Sequence, residues 1–412
     1  MSRPSSNIIQ TILEASDLRR AVATRGGRLG RVRAVAVGKG SIAMLSGLSE
    51  IAEIIDGIAV SPVAGPTPRG VKLMLSDHPV PTRRSFEAGR AVLDYVNSLS
   101  RGETLVLLVS GGASSLMEVP LVPEDEFLEA WRVLLKGGLD IHELNTIRKR
   151  LSAIKGGRLG YIVASRGVDV VNLIASDVPC DDPSDVGSGP GVPDRTTPDE
   201  AYLYLKVRGL WDLLPGSVKS LLASSRGVKD TPSEFPHRVV VVARNADVLE
   251  AVRRTAGGRI ITSCLVGEAR ELGRAVAYMA REQEVPIILG GEPTVTVRGN
   301  GRGGRTSEFA LSFALSSFGD VAALAVATDG VDGNTGAAGV WADPGLLADI
   351  ASLGLDVGRL FRENNTFEPF EATGRVVKTG PTGSNLNLVF YIDRWSRLKG
   401  LLGGGQIEER EV

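Results

Sequence analysis

The chain reads as an α/β protein of two domains, the first built on a mostly parallel sheet with helices over both faces and the second a restart of the same strand–helix rhythm. Three observations lead there. A short apolar run, a loop bearing glycine or acid, and a helix-like stretch follow one another repeatedly along the chain. At 412 residues the chain is too long for one ordinary core. Fifty glycines in a chain that is 43% hydrophobic suit the tight, ligand-facing turns of an α/β enzyme.

The elements follow in order. "NIIQTILEASDLRRAVATRGG" (7–27) has apolar residues at helical spacing, interrupted by Glu14, Asp17, Arg19 and Arg20. It lacks the continuous apolar core of a signal peptide, and its acids argue against a transit peptide. "VRAVAVGKGSIAMLSGLSEI" (32–51) shows the rhythm first, with Lys39 between Gly38 and Gly40. "GIAVSP" (57–62) is the next predicted strand, and "TLVLLVSGGASSLM" (104–117) is a buried run leading into Ser110, Gly111 and Gly112. "LDIHELNTIRKRLSAIKGGRLG" (139–160) predicts a basic helix ended by Gly156 and Gly157. "VVNLIASDVPCDDPSDVGSGP" (170–190) places Asp177 at a strand end.

"SSRGVKDTPSEFPHR" (224–238) is polar, carries two prolines, and marks the domain boundary, set at 1–232 and 233–412. Beyond it "RVVVVARNADVLEAVRR", "RIITSCLVG", "VPIILGGEPTVTV" and "VAALAVATDGVDGNTGAAG" restart the rhythm, and "VVKTGPTGSNLNLVFYI" is a late loop and strand. The last segment, "GLLGGGQIEEREV" (400–412), is expected to fray.

A formal charge of −1 speaks against a general nucleic-acid partner. No segment reaches the run of about 18–20 apolar residues that spans a membrane, so no membrane partner is expected and the cytoplasm is the expected location. Cys180 and Cys264, far apart in sequence, fit a reducing compartment and make neither a disulfide framework nor a CxxC metal site. His78 precedes a proline and reads as a turn or substrate contact; His142 and His237 lack ligand-spaced partners, which argues against zinc.

The stretch "GGEPTVTVRGNGRGGRTSEFALSFAL" (290–315) carries the densest chemistry. Gly299, Gly301, Gly303 and Gly304 are threaded with Arg298, Arg302 and Arg305 at an expected strand-to-helix junction. Glycines admit close approach to a ligand, helix starts present N–H groups, and guanidinium forks suit a multiply charged anion such as phosphate. "SGGASS" offers a second anion cradle through Ser110, Gly111, Gly112, Ser114 and Ser115, or a structural helix cap. "GKGS" is not a Walker A loop; Lys39 is either a point charge for phosphate or a turn lysine. Asp177 and Asp329, each past an apolar strand, suit Mg²⁺ or another divalent cation, though either could be a turn former. Gly299, Gly301 and Gly304 also spell the G-x-G-x-x-G of dinucleotide folds. Because ligands collect at the carboxyl ends of strands, these loops are expected to form one site, with the two domains meeting at a cleft.

Taken in order, "VGKG", "DHPVP", "SGGASSL", "LNTIRKRLSAIKGGRLG", "SDVPCDDPSDVGSGP", "GGEPTVTVRGNGRGGRTSEFAL", "ATDGVDGNTGAAG" and "TGPTGSNLN" resemble the class II glycerate kinases, the family with a MOFRL C-terminal domain. The resemblance runs from Val35 to Ile392. It implies a larger Rossmann-like N-terminal domain and a smaller mixed α/β C-terminal domain. It also implies an enzyme of carbohydrate metabolism that uses ATP and a divalent metal to phosphorylate D-glycerate, usually at the 2-hydroxyl. It carries over Lys39, Arg305 and Asp329 as active-site residues. Departures are Cys180, where glycine is usual, and "NNTFEPF", where an aromatic pair is usual.

On this reading the glycine loops and metal hold the ATP phosphates, while Lys39 and Arg305 balance charge on the transferring group. Asp329 or Asp177 would handle the hydroxyl proton, and Arg302 or a helix N-terminus the substrate carboxylate. The rivals are an NAD(P)-dependent hydroxypyruvate reductase and a non-catalytic nucleotide sensor. A homo-oligomer is compatible with all three.

Overall fold

The computed structural model describes residues 7–403, so the expected fraying of 404–412 lies outside the described residues. They divide into two compact units, one of Leu18–Ala243 and one that joins the residues before Leu18 to those from Arg244 onward. Neither Cys180 nor Cys264 is a free thiol, which corrects the expectation of two reduced side chains. No helix among the described residues is long and apolar enough to cross a membrane.

The Leu18–Ala243 unit holds six strands: β1 (Arg31–Val37), β2 (Glu53–Ser61), β3 (Val71–Leu75), β4 (Thr104–Val109), β5 (Asp169–Ala175) and β6 (Arg238–Ala243). They lie in the order β3-β2-β1-β4-β5-β6, and every pairing is parallel. β4 is buried from Leu105 to Val109, as a strand covered on both faces must be. Val35, Val60, Leu107 and Ile174 of the sheet pack with Val92 and Val96 of the helix Arg83–Asn97. That helix starts at a capping box in which Thr82 and Ser85 bond each other's backbone N–H. A satellite core gathers Phe127 and Trp131 of the helix Glu124–Lys136 with Leu144, Ile147, Leu205 and Leu222.

The basic helix spans Ile141–Arg150 and stops short of the expected glycines. The reason is local pairing. Leu121 N–H donates to the Leu151 carbonyl at 2.9 Å and Ala153 N–H to that of Val119 at 2.8 Å, so residues 151–153 leave the helix to run beside 119–121.

The other unit carries β7 (Arg259–Leu265), β8 (Ile287–Gly291), β9 (Val321–Ala327), β10 (Gly339–Ala342), β11 (Val376–Val377) and β12 (Leu388–Arg394). The order is β11-β10-β9-β12-β8-β7, with only β7 and β8 parallel neighbours. Phe309 and Phe313 of the helix Arg305–Ser316 pack on Phe390, Ala325 and Leu289.

Two expectations change here. The division at 232/233 moves to 243/244, because "RVVVVA" is β6 and hydrogen-bonds β5 in the first sheet. The N-terminal helix Ile8–Ala15 belongs with the second unit, where Thr11 Oγ1 bonds Thr255 Oγ1 at 3.4 Å. "TVTV" forms no strand; Thr294 makes only an isolated bridge to Glu268, whose carboxylate accepts from Thr296 N–H at 3.1 Å.

Candidate active site

The strand order of the parallel sheet reverses between β1 and β4, whose carboxyl ends lie side by side with Val37 opposite Val109. This switch point is where an open α/β sheet presents a crevice. The loops after the two strands are stitched together there. Lys39 N–H donates to the Gly111 carbonyl at 2.8 Å, and Gly40 N–H to Ser110 Oγ at 3.1 Å. Gly38, at φ 128°, lies so close that a Cβ would sit 2.6 Å from the Ser110 carbonyl oxygen. Gly38→Ala is therefore expected to cost about 1–3 kcal/mol, the scale of a backbone forced into a sparsely populated region. Thermal melting checks this, and an unchanged Tm would show that the loop yields.

The backbone of this crevice leaves the Lys39 side chain half-buried, with no hydrogen bond or ion pair to another described residue. The hydroxyls expected of an anion cradle are more committed. Ser110 Oγ accepts from Gly40, Ser114 Oγ lies 2.9 Å from Ser188 Oγ, and Ser115 Oγ donates to the Gly112 carbonyl at 3.2 Å. Gly112, at φ 84°, opens the single helical turn Ala113–Leu116 and brings the chain against the His78 ring; a Cβ there would meet the ring carbon Cδ2 at 2.9 Å.

A cavity of about 250 Å³ opens beside this crevice, lined by His78, Ser115, Trp131, Arg148 and Asp177 among others. Burial pushes the Asp177 carboxyl up to about 6, with the Lys39 charge pulling it back. Partial desolvation of the His78 imidazole, then the Lys39 and Arg148 cations, push it down to about 4, so it is neutral at pH 7. Arg148 is buried, and its guanidinium lies 3.8 Å from the centre of the Trp131 ring. Burial lowers its pKa to about 9, against the pull of Glu118. Arg148 Nε and Trp131 Nε1 are both buried without a hydrogen-bond partner.

Asp177 is the residue of this unit that fits a divalent cation. A carboxylate raised by burial gains stability as an anion from a cation beside it. No group of three or more His, Cys, Asp or Glu forms a cage among the described residues. The donor set thus suits an ion that takes one or two carboxylates and completes its shell with water and phosphate oxygens, as Mg²⁺ does.

In the second unit, the carboxyl ends of β8 and β9 bring Glu292, Asp329 and the late loop together. Arg305 pairs with Glu292, whose other oxygen has no partner. Asp329 Oδ1 accepts from Val331 N–H at 3.1 Å, and its carbonyl accepts from Thr382 N–H at 3.1 Å. Thr328 Oγ1 donates to the Asn387 carbonyl at 2.9 Å. "TDGVDG" and "TGPTGSNLN" therefore meet within this unit.

The glycine–arginine loop departs from its expected form. Asn364 Oδ1 accepts from Arg298 N–H at 2.6 Å and Gly299 N–H at 2.9 Å. Asn365 Oδ1 accepts from Arg302 N–H, Asn334 Oδ1 from Gly303 N–H, and the Glu363 carbonyl from Gly301 N–H. The close approach that these glycines permit is to residues 363–366, and "NNTFEPF" supplies the anchors. The helix start is occupied too. Buried Asp332 accepts from Thr306 N–H at 3.1 Å and Ser307 N–H at 3.3 Å, and a Cβ on Gly304 would strike its carboxylate. The expectation of open amides at this junction is thereby corrected. Arg302 points to Glu371, at 2.7 Å, and to the Thr335 carbonyl at 3.0 Å.

Sequence reasoning missed Arg148 and Trp131. The signal available was the run of basic residues in "LNTIRKRL", but nothing in it separates the arginine facing a cavity from Lys149 and Arg150, which face buried aspartates.

Comparison with known proteins bears on the whole chain. Residues 2–223 match the model described as "Domain of unknown function (DUF4147)", and residues 285–388 match the MOFRL family. A glycerate 2-kinase of Pyrococcus horikoshii is 34% identical over 87% of this chain and 86% of its own length. A relative from Agrobacterium vitis, 36% identical over 87% of this chain and 86% of its own, carries a provisional name for hydroxypyruvate reduction. The crystal structure of a glycerate kinase from Thermotoga maritima superposes with a TM-score of 0.82 at 32% identity, covering 94% of this chain and 97% of that one. With the all-parallel sheet, the mixed sheet and the ordered motifs, these matches place the chain in the glycerate kinase family, in the form that pairs a DUF4147 region with a MOFRL region.

Proposed function

We infer that the chain is an ATP-dependent kinase that phosphorylates D-glycerate at its 2-hydroxyl, giving 2-phosphoglycerate. The observation that carries this reading is the Lys39 ammonium, half-buried and without a hydrogen bond or ion pair to another described residue, at the switch point beside Asp177 and a cavity of small-acid size. Phosphoryl transfer asks a protein mainly for positioning and charge neutralisation. Lys39 supplies a point charge for the transferring group. Asp177, with Asp329 as the second candidate, would hold the divalent cation, which when bound neutralises phosphate charge. Arg305 adds a guanidinium, and Gly301, Gly303 and Gly304 hold the loop that delivers it. Ser110, Gly111, Gly112, Ser114 and Ser115 shape the crevice. A cytoplasmic location is compatible with ATP as the donor.

The name of the Pyrococcus relative supports the choice of substrate and hydroxyl. A reductase is less well supported, because Gly299 and Gly301 of its fingerprint are engaged by residues 363–365, Gly304 lies against Asp332, and the stretch after β8 that leads into them makes only an isolated bridge. Incubation of the purified protein with D-glycerate, ATP and Mg²⁺, with the product identified by phosphorus NMR, tests the reading. NADH oxidation with hydroxypyruvate and no ATP turnover would overturn it, and 3-phosphoglycerate would move the chemistry to the other hydroxyl.

The two loop arginines should separate in the same assay. Arg305→Ala is expected to lower kcat by about 10², the scale of a lost transition-state charge contact. Arg302→Ala, whose half-exposed pair with Glu371 braces the loop, should leave kcat within about threefold and cost less than about 1 kcal/mol of stability. Equal, small effects would reduce the whole loop to a structural turn.

A further inference from the structure

Arg148 is a buried cation without a counter-ion of its own. The acid that acts on it most, Glu118, is already paired, with one oxygen on Lys155 Nζ and the other accepting from Val119 N–H at 2.9 Å. The neighbouring Lys149 and Arg150 have aspartate partners; Arg148 has Trp131. Stacking uses the face of a guanidinium and leaves its edge, where the N–H groups lie, for a planar partner. Arg148 lines the cavity with Trp131, and among the described residues neither the Arg148 Nε–H nor the buried indole Nε1–H of Trp131 has an acceptor. Two unsatisfied buried donors call for an acceptor, since leaving them bare is costly. The cavity, at about 250 Å³, is smaller than the range of about 300–1,000 Å³ that holds drug-sized ligands. It suits a three-carbon acid and not a nucleotide.

We propose that Arg148, stacked on Trp131 and opening into this cavity, binds the carboxylate of the substrate, with the Trp131 N–H as a supporting donor. The assignment rests on the kinase reading for the identity of the acid. It replaces the earlier candidate for this role, Arg302, whose fork is held by Glu371. A carboxylate gripped by Arg148 would leave the rest of the short acid to extend toward Asp177 and Ser115 on the same cavity wall.

The full-length protein tests this through kinetics and tryptophan emission together. Arg148→Met should raise the KM for D-glycerate by about 10², the scale of a charge-assisted hydrogen-bonded contact, and leave the KM for ATP within a few fold. Wild type should prefer D-glycerate to its neutral amide, and Arg148→Met should lose that preference. Arg148→Lys should recover part of both, because an ammonium replaces the charge but not the fork. D-glycerate, and L-lactate as a carboxylate of similar size, should change the tryptophan emission of wild type, and Trp131→Phe should abolish the change. If Arg148→Met fails to fold, Arg148→Lys and the acid–amide comparison in wild type decide.

An unaltered KM, acid preference and emission response in a folded Arg148→Met protein would overturn the proposal while the kinase reading stands. Carboxylate binding that depends on Arg148 in a protein without kinase activity would uphold the pocket and sink the kinase reading. Kinase activity with no preference for acid over amide would overturn the pocket alone.

Discussion

Lys39→Ala is expected to fold normally and to lose about 10² to 10⁴ in kcat, or roughly 3–5 kcal/mol of barrier. The two halves of this expectation come from different facts. The Lys39 side chain makes no hydrogen bond or ion pair to another described residue, so removing it breaks no polar contact of the fold. Its backbone N–H, which does bond the Gly111 carbonyl, survives the substitution. A stability change within about 0.5 kcal/mol follows. The loss of rate comes from what the ammonium faces, a crevice at the switch point with the half-buried Asp177 carboxylate beside it. Lys39→Arg should rescue only in part, because a planar fork does not replace a compact charge. Thermal melting and steady-state kinetics on the same samples separate these effects. A folded Lys39→Ala protein with near-normal turnover would make Lys39 an ordinary turn lysine.

The largest effect on stability is expected from Asp194. Its carboxylate is fully buried and accepts from Lys149 Nζ at 3.2 Å, Arg150 Nη2 at 2.5 Å, Thr196 N–H at 3.1 Å and Thr231 Oγ1 at 3.0 Å. Asp194→Ala strips a partner from two buried cations at once, and breaking such a pair costs about 3–5 kcal/mol. The Tm should fall by about 2–4 °C for each kcal/mol. Acid should act on the same network. Burial alone would raise the Asp194 pKa, but Lys149, Arg150 and Thr196 outweigh it and hold the carboxyl at about 2. The folded value therefore lies below the unfolded one of about 3.9. The contribution is complete above that unfolded value and is lost as pH falls toward 2. Denaturation midpoints measured between pH 2 and 7 should drop over that window in wild type and less in Asp194→Asn. A loss below about 1 kcal/mol in Asp194→Ala would show that Asp185 and Asp230 suffice to hold the cations.

The strand-end positions of the candidate residues were legible in the sequence, because strand ends are marked by composition. "AVAVGKG", "TLVLLVSGG" and "NLIASD" each pair a buried run with a loop of small or charged residues, and the parallel sheet brings all three to one edge. The glycine loop misled for a related reason. Glycine announces close backbone approach, but not to what, and here the approach is to Asn364 and Asn365 some 60 residues later.

The sequence by itself determined what depends on local pattern: five of the six apolar runs in the parallel sheet, all but β3, and the loops that follow them, from which Lys39, Asp177, Arg305 and Asp329 are proposed as site residues. Only the tertiary structure decided what depends on pairing across long separations. It assigned β6 to the first sheet through its bonds to β5 and joined the first helix to the second unit. It also closed the helix start at Arg305 with Asp332. Among three consecutive basic residues it turned Arg148 to a cavity and Lys149 and Arg150 to aspartates more than 35 residues away in sequence. The physical reason is that a charged side chain has the same composition whether its partner is a protein carboxylate or a substrate, and only the packed chain shows which partner is there.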